Sequence, residues 1–233
     1  MTDLLCLEAV SKSFDGVAAV TELSFAIPAG TVAALIGPGG AGKTTLMELI
    51  AGALSPDQGR IWFDGRDISG LAPQRVVALG IARGFDPPRP FAGLSVEDNV
   101  VVAALLREPV VAEARRQALA LLETLALAPL RHRPAGSLQP SERKRLDLAR
   151  ALATRPRLLL LDELHSGLPA DERAALADIL RGFVRRDGLT LLLAEHDQHS
   201  VAGLADGLLT LEHGTLEHDE PPLEGSPAGE TAL

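Results

Sequence analysis

The sequence predicts an α/β fold: a mostly parallel sheet covered on both faces, with an antiparallel β subdomain and an inserted α-helical subdomain. Three observations lead there. Short apolar runs recur at Val32–Ile36, Leu158–Leu161 and Leu189–Leu193, as in strands buried on both faces. Helical spacing follows the first two runs, at Lys43–Ala51 and Ala170–Val184, giving strand–helix alternation. Between them, from Leu94 to about Pro134 and again from about Ser141 to Ala153, the period is helical throughout.

Taken in order, Leu4–Val10 and Leu23–Ile27 alternate apolar and polar residues and read as half-buried strands. Thr31–Ile36 is a buried strand, followed by a glycine-rich turn and a helix over Lys43–Ala51 that Gly52 ends. Asp57–Gly59, Arg60–Phe63 and Asp64–Gly65 read as turn, strand and turn. A short helix is expected over Leu71–Leu79. A longer one spans Val111–Leu127, where Ala114, Ala118, Leu121, Leu122 and Leu125 recur at three- and four-residue intervals. Leu146, Leu148, Ala149 and Leu152 mark the apolar side of the helix near Ser141–Ala153. From Glu217 onward, acid, proline and glycine dominate, and this stretch is expected not to fold. Residues 1–218 are therefore read as one domain with the helical subdomain inserted at about 92–153, and 219–233 as an acidic tail.

Of the 233 residues, 46% are hydrophobic, which suffices for a real core and excludes wholesale disorder. The longest unbroken apolar run, Val100–Leu106, falls far short of the about 20 residues that a membrane span needs. The first residues lack the basic-then-apolar order of a signal peptide. The single cysteine, Cys6, excludes an internal disulfide and suits a reducing cytoplasm. The net charge of −9 argues against nucleic acid as a partner held by bulk electrostatics. That excess lies beyond Arg186, because residues 1–186 carry 21 acids and 22 bases.

The strongest chemical signal is Gly37-Pro38-Gly39-Gly40-Ala41-Gly42-Lys43-Thr44-Thr45, set between a buried strand and a helix. Glycines let the backbone turn so that successive N–H groups face phosphate oxygens, and the following helix adds its positive end. Lys43 is expected on the β- and γ-phosphates of ATP, and the Thr44 hydroxyl on Mg²⁺. The fold class sharpens to a P-loop NTPase core. A second signal is Asp162-Glu163 after Leu158–Leu161. Alone, such a pair is as easily the start of a loop. Beside a phosphate loop, Asp162 is expected to orient Mg²⁺ and Glu163 to act as general base.

The chain resembles the nucleotide-binding subunit of an ATP-binding cassette (ABC) transporter over nearly its whole length. The resemblance rests on GPGGAGKTT, on LLLLDE at 158–163 and on Leu192-Leu-Ala-Glu-His196-Asp197 in that order. It implies that His196 contacts the γ-phosphate. It also implies that Phe14 stacks on adenine, although by residue type alone Phe14 fits a core position equally well. A narrower similarity, to ATPases of importers for branched-chain amino acids, urea and similar solutes, rests on Gly80–Phe85 and Phe91–Asn99.

Three departures accompany the resemblance. The family's glutamine after Phe85, a Mg²⁺-site residue, is Asp86, and Pro87-Pro88-Arg89-Pro90 stiffens the loop. The signature Leu-Ser-Gly-Gly-Gln falls on Leu138-Gln139-Pro140-Ser141-Glu142, in a register set by Arg145–Leu152. In the family this motif grips the γ-phosphate bound to the opposite subunit, and here Pro140 lacks an N–H and Glu142 brings a carboxylate. Leu164 and Pro169 replace the family's proline and its Asp or Asn.

The resemblance implies an ATP-hydrolysing importer subunit on the cytoplasmic face of the membrane. Its partners would be a second ABC ATPase subunit, transmembrane permeases and, indirectly, a solute-binding protein. The departures add the expectation of a heterodimer in which this chain's own site does most of the hydrolysis. The alternatives are a subunit that binds ATP but scarcely cleaves it and a soluble, non-transport cassette ATPase.

Overall fold

The computed structural model describes residues 3–84, 87–164 and 168–220. Two sheets and a helical layer make up the fold. The antiparallel sheet has the order β2-β1-β4-β5, with β1 at Asp3–Phe14, β2 at Val17–Pro28, β4 at Gln58–Phe63 and β5 at Arg66–Asp67. The second sheet has the order β10-β9-β3-β8-β7-β6. Its members are β3 (Val32–Ile36), β6 (Ile81–Arg83), β7 (Leu158–Asp162), β8 (Thr190–Glu195), β9 (Gly207–Glu212) and β10 (Thr215–Glu220). All its pairings are parallel except that of β9 with β10.

Three hairpins turn through two residues that both have positive φ: Asp15-Gly16, Asp64-Gly65 and His213-Gly214. Such turns match the right-handed twist of the strands they join. The first of them lengthens β1 and β2 well beyond the expected segments. Ala9 and Glu22, also at positive φ, mark irregularities where the long strands slip register and keep pairing.

The parallel strands alternate between two apolar clusters. Leu159, Leu161, Leu191 and Leu193 face one side, and Leu158, Leu160, Leu192 and Ala194 face the other. Helix α1 (Lys43–Ile50) and the antiparallel sheet cover the second face. The first face is covered by α5 (Pro140–Ala153) and α6 (Ala170–Asp187), continuous with a helical layer of α3 (Val96–Ala104) and α4 (Val111–Thr124). The expected helix at Leu71–Leu79 is α2, Pro73–Leu79, closed by Gly80 at φ 111°.

Arg107 ties these layers together. Its guanidinium donates to the carbonyls of Val77 and Ala78 at the end of α2 (2.9 and 3.0 Å) and to that of Thr154, which follows α5 (3.0 Å). A cation there suits the negative end of a helix, and at Val77 it adds to the Gly80 N–H, which donates to the same carbonyl at 3.0 Å.

One expectation is corrected. The stretch from Glu217 was expected not to fold, with a boundary at 218, yet β10 continues through Glu220. Pairing with β9 overrides composition: Leu216 stands opposite Leu211, and Glu220 opposite Leu208. Residues 221–233 lie outside the described residues.

Candidate functional site

The site is built where β3, β7 and β8 end side by side. The loop after β3 is held from outside by two backbone contacts that explain its glycines. A Cβ on Gly37 would lie 2.2 Å from the Leu211 carbonyl oxygen of β9. Gly42, at φ 104°, would set one 2.4 Å from the Ala19 carbonyl oxygen of β2. The turn after β9 adds a third tether, the Gly214 N–H to the Ala41 carbonyl at 3.0 Å. Ala41 itself is buried, while Pro38, Gly39 and Gly40 are exposed at the tip.

Helix α1 starts at Lys43 with no side-chain cap and no acid in its first turn, so its N-terminal N–H groups and positive end remain available to an anion. Thr45 occupies the same first turn, half buried. Lys43 is only 6% exposed, and its Nζ donates to the Gly37 and Pro38 carbonyls (2.5 and 3.0 Å). Burial holds this ammonium below the usual lysine range, while the charges of Asp162, Glu163 and Glu195 oppose that shift. Three carboxylates therefore converge on the lysine that the sequence singled out.

Asp162, the last residue of β7, accepts from the Thr44 hydroxyl at 3.1 Å. The Arg83 guanidinium lies 3.5 Å away and also 3.5 Å from Glu48 of α1. This cation offsets the cost of an ionised carboxylate at the end of an apolar strand. Glu163 has φ 47°, a left-handed backbone that residues other than glycine seldom adopt. Its N–H donates to the Ala194 carbonyl (2.9 Å), its own carbonyl accepts from Lys144 Nζ (2.9 Å), and its carboxylate lies 2.8 Å from His196 Nε2. With Glu163 ionised, the ring proton must sit on Nε2 for this contact to be a hydrogen bond.

The structure thus brings together Lys43, Thr44, Asp162, Glu163 and His196. The Thr44 hydroxyl and Asp162 carboxylate are hard oxygen donors 3.1 Å apart, a set that fits Mg²⁺. Phe14 ends β1 at 44% exposure, so it is not a core residue. Lys12 Nζ stands 5.7 Å from its ring centre. Leu138, Gln139, Ser141 and Glu142 gather elsewhere, at the start of α5. Among the described residues, none of these four has a hydrogen bond or ion pair to the phosphate loop. Leu138 is buried. Glu142 folds back so that its carboxylate accepts from the Gln139 N–H at 2.7 Å. Asp86 lies outside the described residues, as do His165–Gly167.

Sequence reasoning assigned no role to Arg83, Lys144, Ala19 or Gly214. His213-Gly214 between two alternating stretches carried a usable hairpin signal. Lys144 and Arg83 carried none, since a lone cation on a helix or strand reads as solvated surface.

Comparison with known proteins agrees with this geometry. The family profile described as ABC transporter matches residues 20–166. The sulfate/thiosulfate import ATP-binding protein CysA of Mesostigma viride is 34% identical over 218 residues, covering 94% of this chain and 62% of the relative. The Fe(3+) ions import ATP-binding protein FbpC of Pseudomonas fluorescens is 38% identical over 227 residues, covering 94% and 61%. The chain therefore spans about three fifths of the length of these relatives. Among solved structures, the ADP conformation of an ATP-binding cassette of an ABC transporter superposes with a TM-score of 0.86 at 26% identity, covering 97% of this chain and 93% of that one. A glycine-rich loop clamped by β2 and β9, facing the carboxylates at the end of β7 and the histidine after β8, is the structural counterpart of that match, and the chain belongs to the ABC transporter family.

Proposed function

We propose that this chain is the ATP-hydrolysing subunit of an ABC importer and passes the energy of hydrolysis to separate membrane permeases. The observation that carries the reading is the convergence of Lys43, Thr44 and Asp162 with the hydrogen-bonded pair Glu163–His196. The glycine loop and the N-terminus of α1 take the phosphates, and Lys43 leaves its loop carbonyls for the β- and γ-phosphate oxygens. Phe14 offers an exposed ring for adenine. Thr44 and Asp162 would hold Mg²⁺, which neutralises phosphate charge. Glu163 takes the proton of the water that attacks the γ-phosphorus, and the β–γ bridging oxygen leaves with ADP. His196 aims that carboxylate and reaches the γ-phosphate.

The relatives named above import sulfate, thiosulfate and Fe(3+), so they support an importer of a small ionic solute and give no support to the branched-chain amino-acid subfamily. The partners are a second cassette subunit, permeases and, through them, a solute-binding protein. Among the described residues no helix is long and apolar enough to cross a membrane, so permeation is assigned to those partners. We place the subunit on the cytoplasmic face of the membrane.

One observation favours a second reading, an asymmetric pair of different cassettes. The N-terminus of α5 is already met by its own Glu142 carboxylate, and Pro140 at its first position offers no N–H. A helix end so neutralised is a poor grip for a phosphate on the opposite subunit.

The test is ATP turnover of the purified chain, alone and with candidate partner cassettes and permeases. Glu163→Gln is expected to lower kcat about 10²–10⁴-fold, the usual contribution of a positioned base. Unchanged turnover would remove Glu163 from the chemistry. Brisk turnover by the chain alone would rule out the asymmetric pair.

A further inference from the structure

We propose that Lys144 of α5 is a positioning residue for Glu163, linking the placement of the helical layer to the aim of the reacting carboxylate. The inference rests on the reading of Glu163 as the base. Glu163 is held at three points in a backbone conformation that it would not hold unaided. Two of those points belong to β8 or the residue after it: the Ala194 carbonyl, which takes the Glu163 N–H, and His196, which meets the carboxylate. The third comes from a different layer. Lys144 Nζ donates to the Glu163 carbonyl at 2.9 Å, and Lys144, Asp147 and Leu148 of α5 line the same cleft as Asp162, Glu163 and Leu164.

The chemistry of that contact sets what it does. A residue other than glycine at φ 47° crowds its Cβ against the neighbouring backbone, and the conformation persists only where the surroundings over-determine it. An ammonium on the carbonyl supplies a charge-assisted hydrogen bond to the peptide whose orientation the left-handed turn sets. When the ammonium is lost, the Glu163 backbone relaxes toward the common wells, and its side chain leaves the position from which it meets His196. Because α5 also packs against α3 and α4 in one apolar cluster, a displacement of the helical layer moves the Lys144 stem. The reacting carboxylate therefore responds to where α5 sits on the sheet.

The experiment compares wild type, Lys144→Met and Lys144→Arg in the full chain. Methionine keeps most of the stem without the charge, and arginine restores a donor. Steady-state turnover is expected to fall about tenfold or more in Lys144→Met, with KM for ATP within about twofold, as a misplaced group acting only on the chemical step requires. Lys144→Arg is expected to recover most of that loss. Amide exchange over Leu158–Leu164, measured without nucleotide, is expected to quicken in Lys144→Met while exchange in β3 stays as in wild type. Exchange unchanged over Leu158–Leu164 would overturn the proposal, as would a wild-type kcat in Lys144→Met or a loss confined to KM. Wild-type turnover no greater than that of Glu163→Gln would overturn the catalytic reading instead, and the exchange measurement would then decide whether Lys144 holds the Glu163 backbone. If Lys144→Met fails to fold, Lys144→Gln carries the same comparison, and wild-type behaviour in it overturns the proposal.

Discussion

Replacing Gly42 by alanine, with Gly40→Ala as its control, measures how far the antiparallel sheet shapes the phosphate loop. Both glycines have positive φ, 81° at Gly40 and 104° at Gly42. A Cβ at Gly40 meets nothing within 4 Å, so Gly40→Ala costs only the backbone penalty of a left-handed alanine, about 1–2 kcal/mol. At Gly42 the same atom would sit 2.4 Å from the Ala19 carbonyl oxygen and 3.4 Å from Leu211 Cδ2. The nearer of these is backbone, which cannot swing aside, so an overpacking cost of about 1–3 kcal/mol is added. For a chain of this size about 2–4 °C of Tm accompanies each kcal/mol, so Gly40→Ala should lower Tm by about 2–8 °C and Gly42→Ala by about 4–20 °C. The assay is thermal and denaturant unfolding without nucleotide, followed by titration with a fluorescent ATP analogue. Gly42→Ala should also bind more weakly, because relief of the contact moves the first turn of α1. Equal destabilisation by the two variants would refute the steric argument and leave φ as the sole reason for glycine at position 42.

Three further outcomes follow from named contacts. Phe14→Ala should weaken ATP binding about 2–10-fold while leaving Tm nearly unchanged, since the ring is largely exposed; a drop in Tm of the size a core truncation causes would sink this reading. Arg107→Met removes three hydrogen bonds to helix-end carbonyls and should cost about 1–3 kcal/mol by denaturant unfolding with unchanged nucleotide affinity. The Lys12 hydrogen bond, with that of the Ser13 N–H, holds the Asp57 carboxyl below the usual carboxylate range, so its stabilisation is present above the unfolded value and fades as pH falls through the folded one. Wild type should therefore exceed Asp57→Asn in stability near neutral pH, with the gap closing as pH falls through the carboxylate range, and a gap that stays constant would assign the effect to something other than titration.

The candidate site was legible to different degrees for definite reasons. The phosphate loop is local: nine consecutive residues, an apolar strand before them and a helix after, so composition and order suffice. Asp162 needed the phosphate loop beside it and His196 the family resemblance, because a carboxylate or histidine at a strand end has many roles. Lys144 and Arg83 lay beyond reach, since each acts on a residue 19 and 79 positions away through contacts that no local pattern encodes. The boundary at 218 fell short of the end of β10 for a related reason. Acid and proline predict poor burial, but the pairing of β10 with β9 needs backbone groups, which every composition supplies.

By itself the sequence determined the fold class, the phosphate loop and the near balance of charge over its first 186 residues, because periodicity, glycine spacing and charge are properties of short windows. Only the tertiary structure decided that Phe14 is exposed, that Glu142 turns back on its own helix and that Glu163 is held in a left-handed turn by a lysine from another layer. These depend on which distant atoms the folded chain brings within a few ångströms, and hydrogen bonds and steric contacts are effective only at that range.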